Sequence, residues 1–136
     1  MTPDRLATLT PVLRALADLH LSALARAGIR AQVVQGLRTE AEQAELYAQG
    51  RTVPGKIVTR AAHASDSAHG PGADGLARGY DIAIYDGLLL SWAPKMLPLY
   101  DRAGEIGKAL GLAWGGDWPE PKRDRPHFQL PMWRTL

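Results

Sequence analysis

Gly79-Tyr80-Asp81-Ile82-Ala83-Ile84-Tyr85-Asp86-Gly87-Leu88-Leu89-Leu90 decides the fold class of this chain. Its first part alternates at the period of a strand, with Asp81, Ala83 and Tyr85 on one face and Ile82 and Ile84 on the other. Asp86-Gly87 is a hairpin turn signal, so Leu88-Leu89-Leu90 returns as an antiparallel neighbour. A strand this apolar is largely buried, and a buried carboxylate without a partner is unstable. Asp81 therefore needs a metal, an arginine or a backbone amide beside it.

Downstream, Leu99, Ala103, Ile106 and Leu110 recur at helical spacing, and Gly111 closes that helix. Leu112-Ala113-Trp114 is a short strand leading into Gly115-Gly116-Asp117-Trp118. The last strand is His127-Phe128-Gln129-Leu130, with His127 and Gln129 on a wet face and Phe128 and Leu130 on a core face. Pro126 marks its entry because proline cannot donate to a ladder, and it pushes Arg125 into an extended conformation. Asp124 sits just outside, on a bend, three residues before an imidazole.

Upstream, residues 50–79 are rich in Gly, Ala, Ser, Pro and Asp, and only Lys56-Ile57-Val58-Thr59 resembles a strand. A loop this long inside a small domain usually serves function, and it carries His63 and His69. Before it, Thr39-Glu40-Ala41-Glu42 is a capping box, so a helix starts at Glu40 and runs to Gly50. Arg38 lies on the turn Gly36-Leu37-Arg38-Thr39 that leaves the strand Ile29–Gln35, where a guanidinium can be aimed at a carboxylate. A first helix begins at Thr10-Pro11, carries Leu13, Leu16, His20, Leu24 and Ala27 on one stripe, and ends at Gly28. His20, with no second ligand beside it, is expected to be a hydrogen-bonded core residue. Helices and strands in mixed order, with hairpins between strands, give one α+β domain: a small, mostly antiparallel sheet with flanking helices.

At 136 residues and 46% hydrophobic content the chain is enough for one core, expected as a single domain over residues 1–136 with no separate binding domain. Cysteine is absent, so any metal must be held by His, Asp and Glu. The formal charge of +2 does not indicate nucleic acid, since neither a basic helix nor an aromatic platform accompanies it. The first residues lack the apolar core of a signal peptide, and no apolar run is long enough to span a membrane. A monomer made in the cytoplasm and released by another route is expected.

Three candidate ligands remain: His69 from the long loop, Asp81 from the central strand and His127 from the last one. Two imidazoles and a carboxylate form a zinc set that leaves a fourth position open for water. Asp124 is placed to take that water's proton.

Jointly, Ser67 and His69, Asp81, Trp114-Gly115-Gly116-Asp117-Trp118, and Asp124 with Pro126, His127 and Phe128 resemble the zinc peptidases that include D-Ala-D-Ala carboxypeptidases, D-Ala-D-Ala dipeptidases and phage L-alanyl-D-glutamate endolysins. Gly36-Leu37-Arg38-Thr39 with Gln43, and Leu46-Tyr47-Ala48-Gln49-Gly50-Arg51-Thr52, resemble the endolysin branch. The likeness covers about residues 10 to 130. It implies a Hedgehog/D,D-peptidase fold, a zinc ion, peptidoglycan stem peptides as substrate and L-alanyl-D-glutamate endopeptidase activity. The alternatives are a D,D-carboxypeptidase or dipeptidase, and a non-catalytic zinc-containing binding module. The resemblance makes His69, Asp81 and His127 the ligands and Asp124 the base. Arg38, Ser67, Gln43 and Trp114 become substrate-binding residues.

One departure stands out. The family keeps six residues between its first histidine and the aspartate, whereas Gly70 to Tyr80, eleven residues, separate His69 from Asp81. Asp74 is therefore a rival for Asp81, and His63 a rival for His69, although His63 lacks the serine two residues ahead. Gly70–Gly79 is expected to bulge from the metal as a lip over the cleft, with Asp74 exposed.

Overall fold

The computed structural model describes residues 4–135. Its axis is β2 (Gly79–Asp86), the strand read above, which turns through Gly87 and Leu88 into β3 (Leu89–Ser91) with Asp86 opposite Leu89. Gly87 takes φ 64°, which glycine adopts without penalty. β1 (Ala31–Gln35) pairs with one edge of β2, and a register shift brings Gln35 opposite Asp81. β5 (His127–Gln129) pairs with the first half of β2, and β4 (Ala113–Trp114) lies beyond it. All these pairings are antiparallel, and the five strands form one sheet ordered β1-β2-β5-β4 with β3 beside β2.

Register does the positioning. Asp81 stands opposite His127 and Tyr80 opposite Phe128. Because successive residues of a strand point to opposite faces, the first pair lies on one face of the sheet and the second on the other. The Tyr80–Phe128 face is covered by α1 (Pro11–Arg26) and α3 (Leu97–Ala109). Leu13, Ala17, His20 and Leu24 are the buried stripe of α1, and Tyr100, Ala103, Gly104 and Gly107 that of α3. Gly107 is required by this contact: a Cβ there would stand 2.6 Å from Phe128 Cε1. Burying Phe128 completely contributes about 1.5–3 kcal/mol.

α2 (Glu40–Ala48) begins with the capping box as read: Thr39 Oγ1 accepts from Glu42 N, and the Glu42 carboxylate accepts from Thr39 N. Three local readings differ. Lys56–Thr59 forms no strand, because no other strand of the fold lies beside it. Thr10 stands at the start of α1, yet its hydroxyl donates to Asp74 Oδ2 at 2.6 Å instead of capping the helix. That bond shows where the eleven-residue excursion goes. Gly72 N bonds Leu76 O, Asp74 Oδ1 accepts from Leu76 N, and Ala77 bridges to both Leu9 and Pro71. The excursion thus folds as a tight turn against the entry to α1. It leaves the metal side, as expected, but it is no lip: the cleft is lined by other segments.

Candidate metal centre and its cleft

Asp81 and His127 meet because the β2–β5 register places them opposite one another; His69 arrives from the loop before β2. Their ligand-type atoms form a small triangle. His69 Nε2 is 3.2 Å from His127 Nδ1 and 3.2 Å from Asp81 Oδ1, and His127 Nδ1 is 3.0 Å from Asp81 Oδ1. A tetrahedral ion with bonds of about 2.0–2.1 Å has ligand–ligand edges of roughly 3.3 Å, so the triangle has the size such an ion requires.

Hydrogen bonds on the outer side settle which ring nitrogens are available. His69 Nδ1 is 2.9 Å from Gly36 O, and His127 Nε2 is 2.7 Å from Gln129 Oε1. Carbonyl oxygens only accept, so each of these ring nitrogens donates, and in neutral imidazoles the inner nitrogens carry lone pairs. Two imidazole lone pairs and a carboxylate therefore converge on one point. With both rings neutral, a cation is the chemical complement of this donor set. Among the described residues, His69, Asp81 and His127 are the group of this kind.

The backbone holds His69 from a second direction, since Arg38 N donates to His69 O at 2.8 Å. The turn after β1 thus grips His69 through both Gly36 and Arg38. Burial works to raise the Asp81 carboxyl, but the His69 and His127 rings hold it well below the usual carboxylate range. Burial works to lower His127, and the hydrogen bond and charge of Asp81 overcome it to leave the imidazole raised.

Of these groups, His69 and His127 line a cleft of about 820 Å³. Asp124 lines it, on the bend before β5 as read. Its placement depends on a close approach: Asp124 N donates to Gly115 O at 2.9 Å, and Asp124 O occupies the space a Cβ on residue 115 would need. Among the described residues the Asp124 carboxylate receives no hydrogen bond. Burial, and after it the charge of Asp81, raise its pKa above that of an ordinary aspartate. This is a half-buried carboxylate with free lone pairs beside the His69–Asp81–His127 triangle, the form a general base takes. Asp117, three residues after Trp114, instead pairs with Lys108 at 3.0 Å outside the cleft.

Arg38 and Ser67 also line the cleft. Arg38 is buried to 9% exposure, and burial lowers its pKa while Asp81 and Asp124 oppose that shift. Its Nη1 donates to Gln43 Oε1 at 2.8 Å, whereas its Nε has no hydrogen-bond partner among the described residues. Ser67 Oγ accepts from His69 N at 3.2 Å.

Two expected substrate contacts are placed elsewhere. Gln43 is fully buried and spends its amide inside the protein: Oε1 on Arg38, Nε2 on Ala61 O at 2.6 Å and Thr59 Oγ1 at 3.1 Å. It positions Arg38 and has no free group for a ligand. Trp114 is packed in the core against Gly104, with its indole nitrogen donating to Arg125 O at 2.7 Å. The cleft receives Trp118 in its stead, whose ring lies 5.1 Å from that of His127. His63 is exposed and pairs with Glu40 at 3.0 Å, and Asp74 is exposed beside Thr10; neither joins the triangle. Gln129, Gly36 and Trp118 are functional neighbours that had no assigned role. Strand alternation already put Gln129 beside His127; Gly36 and Trp118 stand in the motifs quoted above, which give no role to the Gly36 carbonyl or the Trp118 ring.

The family described as D-alanyl-D-alanine carboxypeptidase matches residues 55–130. The chain is 36% identical over 132 residues to the peptidoglycan L-alanyl-D-glutamate endopeptidase CwlK of Bacillus subtilis, a match covering 90% of this chain and 73% of that protein. The crystal structure of the L-Ala D-Glu endopeptidase ChiX of Serratia marcescens superposes with a TM-score of 0.69 at 23% identity, covering 96% of this chain and 86% of that one.

Proposed function

This chain belongs to the D-alanyl-D-alanine carboxypeptidase family of peptidases, and on that premise we propose that it is a zinc-dependent peptidoglycan peptidase cutting the bond between L-alanine and D-glutamate in stem peptides. One observation carries the proposal: the three converging acceptors His69 Nε2, Asp81 Oδ1 and His127 Nδ1, whose two histidines line a cleft that also presents Asp124 and Arg38. The choice of bond rests on the Bacillus subtilis relative, whose name specifies it. No described helix is long and apolar enough to cross a membrane. On the strength of the Bacillus subtilis relative, the proposed place of action is the cell wall, and the proposed working form is a monomer.

His69, Asp81 and His127 would hold the ion. When bound, zinc lowers the pKa of a coordinated water to about 7 and polarises the scissile carbonyl. The protein's residues do the rest. Gly36 O and Gln129 Oε1 keep the two imidazoles in the tautomers that point lone pairs inward. Asp124 accepts a proton from the attacking water as its oxygen bonds to the carbonyl carbon. It then returns that proton to the departing amine as the C–N bond breaks, so one water is consumed per bond. Arg38, fixed by Gln43, offers a guanidinium to a substrate carboxylate. Ser67 and Trp118 complete the wall around the reacting bond.

The test is digestion of purified peptidoglycan by the zinc-loaded protein with mass spectrometry of the products. New amino-terminal D-glutamate, with L-alanine left on the muramyl side, is the expected result. Release of free D-alanine would assign the carboxypeptidase reaction of the family description, and intact peptides would remove the enzymatic reading.

A further inference from the structure

Lys56-Ile57-Val58-Thr59 carries strand-forming side chains and yet pairs with no strand. Its backbone runs without a turn or bend, and Ile57, Val58 and Thr59 line the same cleft as His69, Asp124 and His127. Both ends are anchored: Lys56 O accepts from Gln49 Nε2 at 3.1 Å, and Ala61 O accepts from Gln43 Nε2 at 2.6 Å. Between the anchors, the backbone N–H and C=O groups of Ile57, Val58 and Thr59 make no hydrogen bond to the described residues. The Ile57 and Val58 residues are 46% and 54% exposed. Backbone groups that are pinned, unpaired and set in a peptide-sized cleft form a template for another strand.

We propose that residues 57–59 are the docking strand for the substrate, which adds to them as an extended peptide through main-chain hydrogen bonds. This rests on the peptidase reading and specifies how the stem peptide lies in the cleft. The occupant is an acidic peptide, because Arg60, Lys122, Arg123 and Arg134 line the cleft along with Arg38, against Asp66 and Asp124. Gln43 ties the arrangement together: the amide that holds Ala61 at the end of the docking strand also holds Arg38. Main-chain pairing would thereby be set in register with the guanidinium and with the metal centre behind it.

Two proline substitutions test the pairing. Proline removes one N–H while keeping the chain extended, at its own position and at the one before. Neighbouring residues of a strand send their N–H groups to opposite edges, so Ile57→Pro and Val58→Pro cannot both disturb the bound peptide. One of them should raise KM about tenfold, the scale of a lost hydrogen bond, and the other should leave it within about twofold. Zinc content and kcat should stay near wild type in both. As an independent readout, Asp124→Asn protein saturated with a synthetic stem tripeptide containing L-Ala-D-Glu should show slowed amide hydrogen exchange at the same one of the two residues. Cleavage of stem peptides by the wild type, with equal or no KM shift in the two variants and no gain of protection, would overturn this inference and leave the peptidase reading standing. A wild type that neither binds nor cleaves a stem peptide would overturn both.

Discussion

His20 and His127 lie on opposite sides of one sheet, and the contrast between them separates a structural histidine from a candidate metal ligand. His20 reaches Phe128 from the helix side, with ring centroids 4.5 Å apart, while His127 adjoins Phe128 in sequence and points to the cleft. Both are buried, and both have two engaged ring nitrogens. Around His20, donors and acceptors match. Nε2 donates to Ala103 O at 3.0 Å, which leaves Nδ1 to accept from the Tyr80 hydroxyl at 2.7 Å. Around His127 they do not match while both rings are neutral, because its inner nitrogen meets another imidazole nitrogen and a carboxylate. Burial is common to both sites. The excess of lone pairs is what marks the second as a place for a cation.

The largest effect that would sharpen this comparison is at Asp124, the free carboxylate on the cleft side. Asp124→Asn should reduce kcat on the order of a hundredfold or more while zinc content stays at the wild-type level. Normal turnover in that variant would move the base elsewhere.

Next come two deletions of the same kind, one on each side of the sheet. Gln129→Ala removes the acceptor that orients His127 and should weaken zinc binding about 10–100-fold, with little change in the stability of the metal-free protein. Tyr80→Phe removes the donor to His20 and leaves a buried lone pair unsatisfied. It should destabilise the fold by about 1–3 kcal/mol and leave zinc affinity unchanged. Chemical denaturation and zinc titration of both variants would check the pair. A Tyr80→Phe protein that loses zinc affinity as Gln129→Ala does would erase the distinction.

The smallest effect is one of pH. Burial lowers the His20 pKa below 6.5, and the Ala103 carbonyl offsets only part of that. The unfolded chain therefore binds a proton more readily than the folded one. The contribution of His20 to stability is complete above about pH 6.5 and is lost as pH falls toward the lower folded value. Relative to His20→Gln, which cannot titrate, wild type should lose stability below that pH and not above it, measured as denaturant midpoints across the range. Parallel curves would remove His20 as the cause.

Much of this arrangement was legible in the sequence, for a local reason. Alternation assigned Asp81 and Ile82 to opposite faces, and Asp86-Gly87 forced an antiparallel return. His20, with no second ligand nearby in the sequence, reads as core. What the sequence hid is set by tertiary contact. Trp114 and Trp118 flank the same Gly-Gly-Asp run, and a two-residue strand is too short for its faces to be read; packing against Gly104 sends Trp114 inward. Gln43 gave no sign that its amide would be spent on Arg38 and Ala61. Lys56–Thr59 has the composition of a strand, but composition cannot report whether a neighbour exists. The excursion after His69 was measurable in length, while its direction depended on a hydrogen bond between Asp74 and Thr10, 64 residues apart.

That excursion is also where the account is most directly tested. Zinc per chain, measured by mass spectrometry of the metal in purified wild type, Asp81→Ala and Asp74→Ala, bears on the central claim that β2 register builds the metal centre. The prediction is about one zinc in wild type, close to none in Asp81→Ala and about one in Asp74→Ala, with the last protein as active as wild type. Zinc retained by Asp81→Ala and lost from Asp74→Ala would contradict it.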